Sequence, residues 1–186
     1  MGAPDITFAR LSGREAAERA DELQALHAEV YADPPYRRPA DATLFAARLR
    51  VQCRQPGFVL AEARSGDYLV GYAAGMPLRA STAWWRELTT PLPERITEER
   101  PGRTFALTEL LVRASWRRQG IAETLCGLVL KDRREERATV VVSPAAGPAQ
   151  SAFAKWGWRK VARTRDPEGG TTVSDVLVTG LPAGAD

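Results

Sequence analysis

Leu107–Leu130 reads LTELLVRASWRRQGIAETLCGLVL. The residues up to Val112 are mostly apolar and fit a strand. After Gly120 the pattern turns helical, with Ile121, Leu125, Leu128 and Val129 recurring on one side. Between them, RRQGIA crowds two arginines, a glutamine and a glycine into Arg117–Ala122. A helix that begins just past a strand offers backbone N–H groups with no partner inside the helix, together with the positive end of its dipole. Such a junction suits an anion. Gly120 has no Cβ, so a phosphate can approach the main chain, and Ala122 keeps the next contact small. The candidate donors are the N–H groups of Arg118, Gln119, Gly120, Ile121 and Ala122, with the side chain of Arg117 or Arg118 adding charge. The Gly-Lys-Ser/Thr ending of a Walker loop is missing, and so is the G-x-G-x-x-G dinucleotide signature. A pattern as short as RRQGIA arises by chance; its position between strand and amphipathic helix gives it weight.

Upstream, DITFARL alternates as a first strand, and Ser12 with Glu15 spells a capping box for the helix that follows. Leu23, Leu26 and Val30 give that helix an apolar face, on which His27 reads as an ordinary helix residue. YADPPYRRP breaks it. A second helix is expected through Leu44, Ala47 and Val51, ending before Pro56. GFVLAEA and YLVGYAAGM read as strands joined by a tight turn at Ser65-Gly66-Asp67. In Ser81–Gly102, Trp84, Trp85 and Leu88 suggest a turn or two of helix, and prolines 91, 93 and 101 keep the rest irregular.

Downstream, ATVVVS fits a central strand and GPAQSAFAKW a short helix with Pro148 in its first turn. Gly157 fits a left-handed cap, with Trp156 and Trp158 packing at the turn. WRKVART and TVSDVLVTGL close the chain as an antiparallel pair around Gly169-Gly170. The expected order is β-α-α-β-β-β-α-β-α-β-β, a single α/β domain over residues 1–182 with a disordered tail at 183–186.

The 186-residue chain has room for a core without staples, and 44% hydrophobic with 26% charged residues is ordinary globular composition. A net charge of +3, with no basic stripe, gives no reason to expect a nucleic acid partner. His27 is the only histidine and the two cysteines, Cys53 and Cys126, are far apart, so no metal site is expected. Cys126 reads as buried filler rather than a nucleophile. There is no apolar signal core at the start and no run long enough to span a membrane, which points to a cytoplasmic protein with reduced thiols.

Element order and motif together resemble the GNAT superfamily of acetyl-CoA-dependent N-acyltransferases. RRQGIA is similar to the family's pyrophosphate-binding motif, and AFAKWGWRKV to its LYEKLGF-x-x-V segment. The resemblance implies a mixed, mostly antiparallel twisted sheet with helices on both faces and a splayed parallel pair of strands, ELLV and ATVVVS. It implies acetyl-CoA (coenzyme A) as cofactor, with the pyrophosphate on Arg117–Ala122 and the pantetheine arm along the backbone of Leu111, Val112 and Arg113. The amine of a small molecule would attack the thioester directly, with a backbone N–H near Leu111 stabilising the oxyanion. Glu109, a carboxylate in an apolar strand, is the candidate base, directly or through a water; the alternative is that it faces solvent or pairs with an arginine.

Two positions depart from the family pattern. Ala146 stands where an asparagine commonly helps hold the cofactor arm, and Phe153 where a tyrosine usually protonates the leaving thiolate. Two readings follow: a working N-acetyltransferase with another proton route, such as water or Ser151, or an acyl-CoA-binding regulatory protein. Acceptor specificity would come from EVYADPPYRRP, STAWWRELTTPLPERITEER and RDPEGGTTVSD. There Glu29 and Asp33 beside Tyr31 and Tyr36 are candidates for a cationic amine. Trp84 and Trp85 are candidates to wall its apolar part or, if exposed, to join two copies in a homodimer.

Overall fold

The computed structural model describes residues 5–37, 42–165 and 172–182. Their strands are β1 (Ile6–Leu11), β2 (Val59–Ser65), β3 (Tyr68–Pro77), β4 (Thr104–Val112), β5 (Arg137–Val142), β6 (Arg159–Arg165) and β7 (Val173–Gly180). The helices are α1 (Gly13–Glu18), α2 (Ala20–Val30), α3 (Ala42–Gln52), the single turn α4 (Glu94–Thr97), α5 (Ile121–Leu130) and α6 (Gly147–Lys155). The strand order is β1-β2-β3-β4-β5-β7-β6, mostly antiparallel with β4 and β5 as the parallel pair. Two compact units divide the chain: Met1–Met76 with Leu107–Lys131, and Pro77–Ala106 with Asp132–Asp186.

In the first unit the sequence dictates the helix starts. Ser12 Oγ accepts from the Glu15 N–H at 3.3 Å while the Ser12 N–H donates to Glu15 Oε2 at 2.7 Å, which is the expected capping box. The first helix is not continuous: Arg19, at φ −107°, separates α1 from α2. Leu23, Leu26 and Val30 face inward as their spacing requires, and they pack with Leu11, Phe45, Leu49, Leu60, Leu69, Tyr72 and Leu111 into one core. The expected face of α3 is corrected. Leu44 and Val51 are exposed, and Phe45, Leu49 and Gln52 point inward instead. Both stripes are compatible with a helix, and the core takes the one that carries Phe45 and Leu49.

β2 and β3 form the expected hairpin, with Gly66 at φ +57° in its turn. On β3, a Cβ placed on Gly71 would lie 2.7 Å from the Leu111 carbonyl oxygen, so glycine is what lets β4 come this close. α5 lies against β2 and β1 with Ile121, Leu125, Cys126 and Val129 buried. Leu128, expected inward, is only half-buried. Burial, with the Glu123 charge added, pushes the Cys126 thiol up to about 12, in keeping with filler rather than a nucleophile.

In the second unit, α6 ends in a Schellman turn. Gly157 has φ +85°, its N–H donates to Ala154 O at 3.1 Å, and the Trp158 N–H donates to Phe153 O at 3.0 Å. The rings of Trp156 and Trp158 stand edge-on to Phe153 at 5.3 and 5.1 Å. β5, β7 and β6 pair antiparallel. The turn or two of helix expected at Trp84–Leu88 is a single hydrogen-bonded turn, Arg86 N–H to Ala83 O at 3.0 Å, leading to a bridge between Leu88 and Thr164, and a helical turn forms at Glu94–Thr97. The edge of β6 holds the far end of this segment, through Thr89 N–H to Arg163 O at 2.9 Å and Arg165 N–H to Glu87 O at 2.8 Å, which takes Glu87 O and Thr89 N–H out of any helical ladder. The Gly169-Gly170 turn and the tail at 183–186 lie outside the described residues.

Candidate active site

The junction after β4 is built from backbone geometry. A short 3₁₀ turn, Ala114–Trp116, intervenes between strand and helix. Arg118 then takes φ +63° and Gly120 φ +78°, two left-handed residues separated by Gln119. Left-handed residues among right-handed ones turn successive N–H groups to the same side, the arrangement that cups anions. Among the described residues, none accepts a hydrogen bond from the N–H of Arg118, Gln119, Gly120, Ile121 or Ala122. Arg118, Gln119 and Gly120 are exposed, and a Cβ at Gly120 would meet nothing within 4 Å. The glycine is thus required by its φ, not by crowding within the chain.

The two arginines nearest the end of β4 are engaged. Arg117 Nε donates to Val112 O at 2.9 Å and its guanidinium stands 4.9 Å from the centre of the Tyr36 ring. Arg113 donates through Nε to Leu69 O at 2.7 Å, lies 4.5 Å over Tyr68 and pairs with Glu29. Its own N–H donates to Val70 O at 2.9 Å. Burial lowers the Arg113 pKa, and the Glu29 contact keeps the charge partnered. Leu111 and Val112 are buried within β4.

Glu109 is buried in the same strand, its side chain 6% exposed, and Arg48 of α3 donates to its Oε1 at 2.8 Å. Pairing with an arginine was one of the two alternatives for Glu109; facing solvent was not what the fold produced. His27 Nε2 is 3.9 Å from the same oxygen. Arg48 escaped sequence reading because α3 offered two competing stripes; with Phe45 inward, a residue three positions on shares its face. His27 was visible as the only histidine, but nothing in the sequence placed it beside Glu109.

Of the acceptor candidates, Tyr31 packs on the His27 ring at 4.6 Å, Tyr36 is half-buried under Arg117, Glu29 is held by Arg113 and Asp33 is exposed. In the second unit the tryptophans part company. Trp84 is half-buried with Nε1 donating to Thr139 at 3.3 Å. Trp85 is buried, donates to Glu99 at 2.9 Å and has Arg137 5.3 Å over its ring. Neither is the exposed pair that a dimer contact would need, and Trp85 serves the interior. Phe153 is 3% exposed and fixed by the two neighbouring tryptophans, and Ala146 is buried at the start of α6. Among the described residues no cluster of three His, Cys, Asp or Glu side chains is arranged to hold a metal ion, and no helix is long and apolar enough to cross a membrane.

The acetyltransferase (GNAT) family model matches residues 18–158. The chain belongs to that family. No curated protein matches it. Among solved structures it is similar to a GNAT-family acetyltransferase from Staphylococcus aureus Mu50, with TM-score 0.67 and 13% identity over 96% of this chain and 100% of that one. It is also similar to Arabidopsis thaliana NAA60 in complex with acetyl-CoA, with TM-score 0.65 and 17% identity over 95% and 98% of the two chains. A third is the aminoglycoside N-acetyltransferase AAC(6′)-Iy in complex with CoA, with TM-score 0.59 and 14% identity over 89% and 95%. At these identities the likeness shows a shared GNAT fold.

Proposed function

We propose that this GNAT protein transfers an acetyl group from acetyl-CoA to the amine of a small molecule by direct attack in a ternary complex. The observation that carries the reading is the run of backbone N–H groups from Arg118 to Ala122 with no acceptor among the described residues, gathered by two left-handed residues at the start of a ten-residue helix. A diphosphate supplies what they lack. That solved relatives carry acetyl-CoA or CoA supports the choice of diphosphate. Arg117 adds charge once its guanidinium turns from Val112 O.

The pantetheine arm then runs along Leu111 and Val112. Arg113, its N–H held by Val70 O and its carbonyl already accepting from the Trp116 N–H at 2.9 Å, has only the second lone pair of that carbonyl to offer. The N–H near Leu111 stabilises the oxyanion. Glu109 removes the amine's proton, and Asp33, Tyr31 and Tyr36 receive the acceptor, with Glu29 available if Arg113 releases it. Holding both reactants in register supplies roughly 7–11 kcal/mol of the barrier.

Phe153 and Ala146 favour a second reading, an acyl-CoA-binding regulatory protein whose turnover is impaired. Calorimetry with coenzyme A and a thiol-release assay with acetyl-CoA over a panel of amines test both. Amine-dependent thiol release establishes the enzyme. Binding without release over any amine establishes the second reading, and no binding of coenzyme A defeats both. Where release occurs, Phe153→Tyr raises turnover if the missing hydroxyl limits it, since a general acid is worth about 10²–10⁴-fold.

A further inference from the structure

His27 is the side chain whose placement the proposed reaction leaves without a role. It is the only histidine of the chain and lies on the inward face of α2, its side chain 8% exposed. Its ring sits against Tyr31 and Phe45, with centroids 4.6 and 4.3 Å away. Its Nε2 is directed at Glu109 Oε1, 3.9 Å off, and the same oxygen takes the 2.8 Å bond from Arg48. Two helices and a strand therefore converge on one carboxylate.

Charge and chemistry sort the three groups. Arg48 favours the ionised form of Glu109, which makes the carboxylate a good acceptor but a poor place for a proton to rest. Arg48 cannot take that proton, because a guanidinium has no acceptor. Imidazole has a proton affinity near neutrality, and here it faces the oxygen that needs relieving. Filling the same volume for packing alone would be served better by an apolar side chain.

We propose that Glu109 and His27 handle the acceptor's proton as a pair, with His27 the positioning residue that relieves Glu109 of it; this rests on the reading that Glu109 is the base. An N–H bond of the acceptor ammonium breaks, its electron pair stays on nitrogen, and an O–H bond forms on Glu109. That O–H bond then breaks as Nε2–H forms, restoring the carboxylate and leaving an imidazolium that returns its proton to solvent. His27 must present Nε2 unprotonated, with its neutral proton on Nδ1. The 3.9 Å separation exceeds a hydrogen bond and is closed by a small side-chain rotation or one bridging water. Of the groups around the ring, Glu109 of β4 favours the imidazolium, Arg48 of α3 opposes it, and the Tyr31 ring packs against it at 4.6 Å.

A lone histidine gives a lone imidazole signal, so proton NMR of the full, tag-free chain reads the pair directly. Between about pH 5 and about pH 9, Glu109→Gln lowers the His27 midpoint by about one unit and Arg48→Gln raises it. A midpoint unmoved by Glu109→Gln overturns the pairing, whether or not the protein transfers acetyl groups. With acetyl-CoA and the best amine of the panel, His27→Gln lowers kcat about tenfold or more, leaves KM for acetyl-CoA unchanged and shifts the acidic limb of kcat/KM. A fall in kcat with that limb in place means that His27 only packs, and overturns the proposal. If no amine supports release, the parent reading fails while the NMR titration still judges the pair.

Discussion

Gly120 and Gly157 have nearly the same backbone, φ +78° and φ +85°, and do opposite work. Gly157 stands at the end of α6, where the freed carbonyls of Phe153 and Ala154 are taken up by the next N–H groups and the flanking rings pack edge-on to Phe153. Gly120 stands at the start of α5, where the N–H groups around it have no taker among the described residues. A left-handed glycine is therefore no mark of function by itself. What separates a structural turn from a binding turn is whether the chain satisfies its own hydrogen bonds there. α1 makes the same point from another side, since its start is closed by the Ser12–Glu15 box.

The largest effect that sharpens this contrast lies at the closed turn. Phe153→Ala removes the ring on which both tryptophans rest and lowers stability by about 3–5 kcal/mol, read as a fall in the urea midpoint. A loss under about 1 kcal/mol would mean the turn is not held by that cluster. Next come the two glycines exchanged in parallel. Gly120→Val and Gly157→Val each cost roughly 1–2 kcal/mol of stability, because both force a branched side chain into the left-handed region. Only Gly120→Val weakens coenzyme A, by about 100-fold, or roughly 2.7 kcal/mol, in calorimetry. Equal losses of affinity in both variants would erase the distinction.

The smallest effect is at α1. The hydrogen bonds from Ser12 hold the Glu15 carboxyl below its ordinary value of 4.5, so its contribution is complete above that value and disappears as the pH falls through the depressed one. Glu15→Gln accordingly lowers the melting temperature at neutral pH, and the gap from the natural chain narrows in acid. A gap independent of pH would remove the carboxylate from the cap.

Regular elements were legible because each carries a local signal. The Ser12–Glu15 box, the stripe of α2, the Ser65–Asp67 hairpin and the Gly157 cap follow from neighbouring residues alone. What failed depended on distant partners. Trp84–Leu88 looked helical until the edge of β6 claimed Glu87 and Thr89, and α3 offered two faces between which the core chose. The candidate site divides the same way. Arg117–Ala122 stood out by composition and position, whereas the meeting of His27, Arg48 and Glu109 spans three elements and no spacing announces it. Trp85 looked like a surface aromatic because Glu99 and Arg137, which hold it inside, are remote in sequence.

Gly71 sets a limit on how this scaffold can be retooled. With 2.7 Å between a would-be methyl group and the Leu111 oxygen, even alanine displaces the strand that carries Glu109 and Leu111. Laboratory evolution toward new acceptors is free to rewrite the exposed residues Ala32, Asp33 and Pro34, while position 71, inside the sheet, stays bare in the surviving lineages.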